Sequence, residues 1–262
     1  MNNNKLYYKN LEFVENEPID YYIIISFATD DEHYIPEKTI ILQMEPWVYD
    51  RSKNWGIHAW PKKWSDPDKS LYFHVRQHKD FLNTAQWTFP IPKEIKTTKL
   101  NKFIAIISDK YIDEGHINRV NFIKYIESKG HNFIDVYGHS NSHKFKNYMG
   151  FLESKIIIED YMYVFSVENN REFNYATEKI FEAFIAGSLC FYDGCPNLSD
   201  YFNEMSYVPI DCADKDHTLQ IMLNALESNL WQERLQYIED AKKLTYSKYG
   251  FLPIINNLLQ QI

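Results

Sequence analysis

A chain of 262 residues, 45% hydrophobic and 24% charged, can hold one large domain or two small ones with a full core. Its net charge of −8 argues against a general nucleic-acid-binding role, although local cations can still hold a single nucleotide. The three cysteines, Cys190, Cys195 and Cys212, form no C-x-x-C pair, so neither a zinc site nor a disulfide framework is expected.

The N-terminus, MNNNKLYYKN, is polar and lacks the apolar core of a signal peptide. The first apolar run, residues 21–27, is far shorter than a bilayer span. The expectation is a soluble cytoplasmic chain without a membrane-spanning segment. A second strand pattern, residues 39–44, runs directly into Glu45-Pro46-Trp47. Residues 47–88 hold all but one of the tryptophans and show little periodicity. Residues 89–100, FPIPKEIKTTKL, break the pattern again and read as a linker between two domains.

Beyond the linker, strand patterns recur at residues 103–108, 133–137, 161–167, 188–192 and 207–210. Helical spacing lies between them. Ile117, Val120, Ile123 and Ile126 repeat on one face, as do Ala176, Ile180, Ala183, Phe184 and Gly187. From about Asp214 the chain reads mostly as helix, with Leu219, Met222, Leu223 and Leu226 on one side. Strands alternating with helices predict an α/β class with parallel sheets.

The most informative stretch is residues 161–200. A strand ends at Glu168-Asn169, a polar loop follows, and a helix opens at about Tyr175 with Asn174 as its N-cap. Thr177, Glu178 and Lys179 occupy its first turn. A helix N-terminus carrying a lysine, beside the carboxyl end of a strand, suits an anionic diphosphate.

The residues Phe165, Glu168 and Asn169, followed by Tyr175, Thr177, Glu178, Lys179, Ala183, Ala186 and Gly187, spell F-x-x-E-N and then Y-x-T-E-K-x-x-x-A-x-x-A-G. This pattern resembles glycosyltransferase family 10, the α-1,3/4-fucosyltransferases. The resemblance implies a GT-B-like fold, two Rossmann-like domains facing a cleft. Residues 1–95 would bind the acceptor, and residues 96–262, with terminal helices, the nucleotide sugar. It implies an inverting transfer of L-fucose from GDP-fucose to a glycan hydroxyl, with no cofactor beyond the donor and no metal.

The resemblance also implies roles. Lys179 and Arg119 would neutralise the diphosphate, Arg119 from a helix after the strand at residues 103–108. Glu178 would accept from ribose or sugar hydroxyls, and Tyr175 would lie against the nucleotide. Glu168, Asn169, Asn174 and Thr177 complete that part of the donor site. Asp135, Tyr137 and Gly138 match a D-x-Y-G strand, placing Tyr137 and Gly138 in the donor set as well. Glu45, at a strand end, corresponds to the general base. The sequence after Glu45 departs from the family's arginine-rich acceptor region, which leaves acceptor and linkage open.

Other motifs have simpler readings. Asp66-Pro67-Asp68 has the D-x-D form of metal-dependent glycosyl transfer, but its proline loop favours turn chemistry. Asp30-Asp31-Glu32-His33 reads as a solvated turn. Two alternatives stay open: a glycosyltransferase of the same fold using another nucleotide sugar, and a glycan-binding relative without turnover.

Overall fold

The computed structural model describes residues 6–15, 19–25, 34–42, 74–75 and 82–261. The chain divides into two compact units. The first comprises residues 1–84, 172–175 and 248–262, and the second residues 85–171 and 176–247.

In the first unit, β1 (Leu6–Tyr8) and β2 (Leu11–Phe13) pair antiparallel with Leu6 opposite Phe13. The strands β3 (Tyr22–Ile25), β4 (Thr39–Leu42) and β5 (His74–Val75) form a parallel sheet with β4 in the centre. The run Thr-Ile-Ile-Leu of β4 is buried at every position, as expected of a central parallel strand covered on both faces. Ile40 and Leu42 pack with Ile254, Ile255 and Leu258, which belong to the chain's last helix (Phe251–Leu259).

The second unit is built on six parallel strands. They are β6 (Leu100–Ile106), β7 (Ile134–Tyr137), β8 (Tyr148–Gly150), β9 (Tyr161–Val167), β10 (Leu189–Asp193) and β11 (Tyr207–Pro209). Their spatial order is β11-β10-β9-β6-β7-β8, and every pairing is parallel. Numbered from the first strand of this sheet and read from β8, the order is 3-2-1-4-5-6. That is the Rossmann order, and it reverses between β6 and β9. The α/β class and parallel sheet expected from the strand–helix alternation are found here.

Helix α1 (Glu114–Ser128) follows β6, and α2 (Glu178–Ala186) joins β9 to β10. The helices α3 (Lys215–Glu227) and α4 (Leu230–Ser247) come after β11, and α5 is Phe251–Leu259. Val120, Phe122, Ile123 and Ile126 of α1 pack with Phe103, Ala105, Tyr163, Phe165 and Phe191 of the sheet. Aromatic rings fill the centre: Phe103 stacks on Tyr163 at 4.9 Å and meets Phe191 edge-on at 4.8 Å.

The family-like A-x-x-A-G segment has a mechanical explanation. Gly187 adopts φ +71° as the left-handed terminus of α2, and Ser188 N donates to Ala183 O at 2.9 Å. A Cβ at Gly187 would lie 2.4 Å from the Ile95 side chain, so the position requires glycine on two counts. The carbonyls that α2 leaves unpaired are used: Lys99 Nζ donates to Ala186 O and Trp231 Nε1 to Gly187 O. Residues 85–99 belong to the second unit's body, and Lys242 Nζ reaches Pro92 O at 2.8 Å. Among the described residues no helix is long and apolar enough to cross a membrane.

Candidate functional site

In an open parallel sheet, ligands meet the carboxyl ends of the strands where the order reverses. Here that point lies at the ends of β6 and β9, at Ser108 and at Val167-Glu168-Asn169. Two clusters of sequence-nominated residues converge on it.

The first centres on Glu168, which is 1% exposed. A buried carboxylate needs several donors, and Glu168 has them. Its oxygens accept from Thr177 N at 2.8 Å, from Thr177 Oγ1 at 2.7 and 2.9 Å, from Lys179 Nζ at 3.0 Å and from Tyr192 OH at 3.1 Å. Burial and the adjacent carboxylate push the Tyr192 phenol well above its ordinary range, so it stays a donor. Gly194 makes room for this pair, since a Cβ there would sit 2.5 Å from both Glu168 and Tyr192. Glu168 thus anchors the start of α2 to the end of β9.

Lys179 has three donors. Two are committed, to Glu168 and to Thr177 Oγ1 at 2.8 Å, and the third faces Glu178 Oε1 at 3.5 Å, the outer limit of a hydrogen bond. Burial opposes its charge, but Glu168 and Glu178 outweigh that and raise its pKa, so it is a cation at neutral pH. Its side chain is 22% exposed and that of Glu178 32%, so both reach solvent at the helix start. Burial opposes ionisation of Glu178, and the cations Lys179 and Lys155 more than offset it, leaving its pKa lowered.

The second cluster centres on Arg119, which is 4% exposed. Its guanidinium donates to Val167 O at 3.0 Å, Asn169 Oδ1 at 3.3 Å and Ser108 Oγ at 3.0 Å, joining the ends of β6 and β9 from below. Beside it, Gly115 N donates to Asn169 O, and a Cβ at Gly115 would lie 1.8 Å from Glu168 O. Glycine therefore lets α1 rest on the backbone of β9. His116, in the same turn, accepts from Asp113 N at 3.3 Å. Burial and the Arg119 charge bring it down to about 4, so it is neutral near pH 7.

The remaining nominated residues lie elsewhere. Tyr137 OH faces Tyr161 OH at 3.4 Å, beside the Asp135 carboxylate that accepts from Tyr161 and Lys102. Gly138 fits where a Cβ would strike Ile107 O at 2.2 Å. Asn174 and Tyr175 cluster with the first unit. Asn174 is not the N-cap expected from the sequence: the cap is Thr177, and α2 begins at Glu178. Asn174 instead takes a left-handed conformation, φ +61°, and its carbonyl accepts from Asn83 N. Asparagine tolerates that conformation, and the turn it makes, with Tyr175 N bonding Glu172 O, ends before the helix starts. Glu45, Asp66 and Asp68 lie outside the described residues.

Sequence reasoning overlooked Gly115, Tyr192, Gly194 and a third group on the same edge. Arg171 Nη2 bonds Asp211 at 2.7 Å and its Nε bonds Asp193, whose other oxygen accepts from Cys212 N. Among the described residues no group of three or more histidine, cysteine, aspartate or glutamate side chains is placed to hold a metal ion.

The second unit is a Rossmann-like α/β fold whose ligand edge carries paired lysine and glutamate side chains. No family model matches the chain, and no curated protein does. Solved structures resemble it: an α1,3-fucosyltransferase with GDP at 20% identity and TM-score 0.41, over 51% of this chain and 38% of that one. TarM from S. aureus in a complex containing UDP is 12% identical with TM-score 0.48, over 68% of this chain and 38% of that one. The lipopolysaccharide outer core galactosyltransferase WaaB is 13% identical with TM-score 0.39, over 65% of this chain and 54% of that one. All three are GT-B glycosyltransferases. This chain spans about two fifths of the length of the first two, and likenesses of this size say nothing of substrate.

Proposed function

We propose that this protein is a glycosyltransferase that moves L-fucose from GDP-fucose to a glycan hydroxyl with inversion. The observation that supports it most is the Glu168–Thr177–Lys179 cluster at the start of α2, carried by the family-like Tyr175-to-Gly187 segment and set at the carboxyl edge of a 3-2-1-4-5-6 sheet. Lys179 holds one loosely engaged donor, the one facing Glu178. On this reading it turns to a phosphate oxygen of the donor, and Glu178, released, accepts from a ribose or sugar hydroxyl. The first amides of α2 add their partial positive charge to the same point. Arg119 supports the diphosphate from beneath, through Asn169 and Ser108, and by its field.

In the transfer, the acceptor oxygen forms a bond to the anomeric carbon from one face. The bond to phosphate breaks on the other, and its electron pair leaves on GDP. Glu45 takes the acceptor proton. The N-terminal part, to about residue 95, would carry the acceptor, and residues 96–262 the nucleotide sugar. A thermal-shift series tests the donor. GDP and GDP-fucose should raise the melting temperature, by about 2.7 kcal/mol of added stability at 100 times Kd, and UDP or CMP should not. Equal stabilisation by UDP-sugars would defeat the fucose assignment.

A further inference from the structure

Glu178 and Glu182 lie one turn apart on the same face of α2, a spacing that sets like charges against each other. A lysine that the proposed donor site does not use reaches between them. Lys155 opens the short helix Lys155–Asp160, whose start Ser154 caps by accepting from Ile156 N. Its Nζ donates to Glu182 Oε2 at 2.8 Å and stands 3.9 Å from Glu178 Oε1, beyond a hydrogen bond and within ion-pair range. Lys179 Nζ faces the same Glu178 oxygen at 3.5 Å. One carboxylate oxygen is thus shared by two ammonium groups, and both favour its charge against burial. The two lysines are held differently. Lys179 is tied to Glu168 and Thr177, whereas Lys155 hinges on Glu182. Glu182 is 2% exposed and fixed, because its other oxygen accepts from Thr88 N at 3.1 Å and from Thr88 Oγ1 at 2.7 Å.

We propose that Lys155 is a positioning residue for Glu178, which it holds in place when Lys179 turns to the donor phosphate. This rests on the nucleotide-sugar reading above and deepens it. Once Lys179 engages an anion, Glu178 loses its nearer cation and is left facing the Glu182 carboxylate. It then turns away or takes up a proton unless a second cation replaces the first. Lys155 supplies that cation by closing the 3.9 Å gap while Glu182 keeps its hold on the same ammonium. A compact charge on a flexible stem, with three separate donors, can bridge two carboxylates in this way. Glu178 stays ionised and aimed at a donor hydroxyl.

Removing Lys155 alone strands the Glu182 carboxylate, whose ionisation burial already opposes, and so endangers the fold. The test is therefore made in Glu182→Gln, whose carboxamide can still accept from Thr88. Calorimetry with GDP-fucose is run on the full chain for the wild type, for Glu182→Gln, and for Glu182→Gln with Lys155→Met, Glu178→Gln or both added. Lys155→Met should weaken GDP-fucose by roughly 10-fold where Glu178 is present, the scale of a hydrogen bond between charged groups. Where Glu178→Gln is also present the loss should be under about twofold. Urea unfolding of each variant separates folding losses from binding losses. The cycle is repeated with Lys155→Gln in the wild-type chain, so that if one background fails to fold the other decides. Equal weakening with and without Glu178 marks Lys155 as merely structural and overturns the proposal alone, as does no weakening in either. No GDP-fucose binding by the wild type overturns the donor reading and this inference together.

Discussion

Glu168 is found by motif, and the structure adds a packing role that the motif does not report. Read from the sequence, it is a strand-end carboxylate facing a ligand; in the structure it is buried and fully engaged by Thr177, Lys179 and Tyr192. Breaking a buried pair while leaving the cation in place costs several kcal/mol. Glu168→Gln should therefore lower unfolding stability by about 3 kcal/mol in urea titrations, and a loss below about 1 kcal/mol would show that the cluster is not the anchor of α2. His116 gives a pH signature. Its ordinary pKa is 6.5, and burial together with Arg119 brings it to about 4 in the folded chain. Between those values the unfolded chain binds more protons, so this stabilisation is present above 6.5 and is lost as pH falls toward 4. In His116→Gln the drop in urea midpoint between pH 7.5 and 4.5 should be smaller than in the wild type; an equal drop would assign the titration elsewhere.

At the scale of elements, the site depends on two helices seated differently on one sheet. Helix α2 is tied at its start by Glu168 and at its end by Lys99 and Trp231. Helix α1 is seated by contact, through Gly115 on the backbone of Glu168 and Asn169. Gly115→Ala places a methyl 1.8 Å from a carbonyl oxygen that cannot move without disturbing β9. Overpacking of this kind costs roughly 1–3 kcal/mol, and the variant should also lose nucleotide binding as α1 lifts. A Gly115→Ala protein with wild-type stability would contradict that seating. The strands of the second unit were mostly legible because buried parallel strands are apolar runs, as in residues 161–167. β8 was not: three residues, Tyr-Met-Gly, at the sheet edge leave no run to see. The start of α2 was read too early because Ala176 continues the apolar spacing of Ile180 and Ala183, and spacing does not report the left-handed turn at Asn174.

For the whole molecule, the topology explains why residues distant in sequence meet. Strand order reverses between β6 and β9, so Ser108, Arg119 and Asn169 come together, and α2 returns Thr177 and Lys179 to the same edge. The motif from Phe165 to Gly187 made half of this legible, since those residues are consecutive. Gly115, Tyr192, Asp193 and Arg171 were not, because they acquire their roles only through packing across strands. The claim that matters most is that this edge holds a GDP-sugar and that Glu45 drives its transfer. The most direct measurement is release of GDP from GDP-fucose with a panel of oligosaccharide acceptors, in the presence of a chelator, for the wild type and Glu45→Gln. Acceptor-dependent GDP release by the wild type should survive the chelator and fall about 100-fold or more in Glu45→Gln, with GDP binding retained. Transfer by Glu45→Gln at the wild-type rate, or activity that requires added metal, would contradict it.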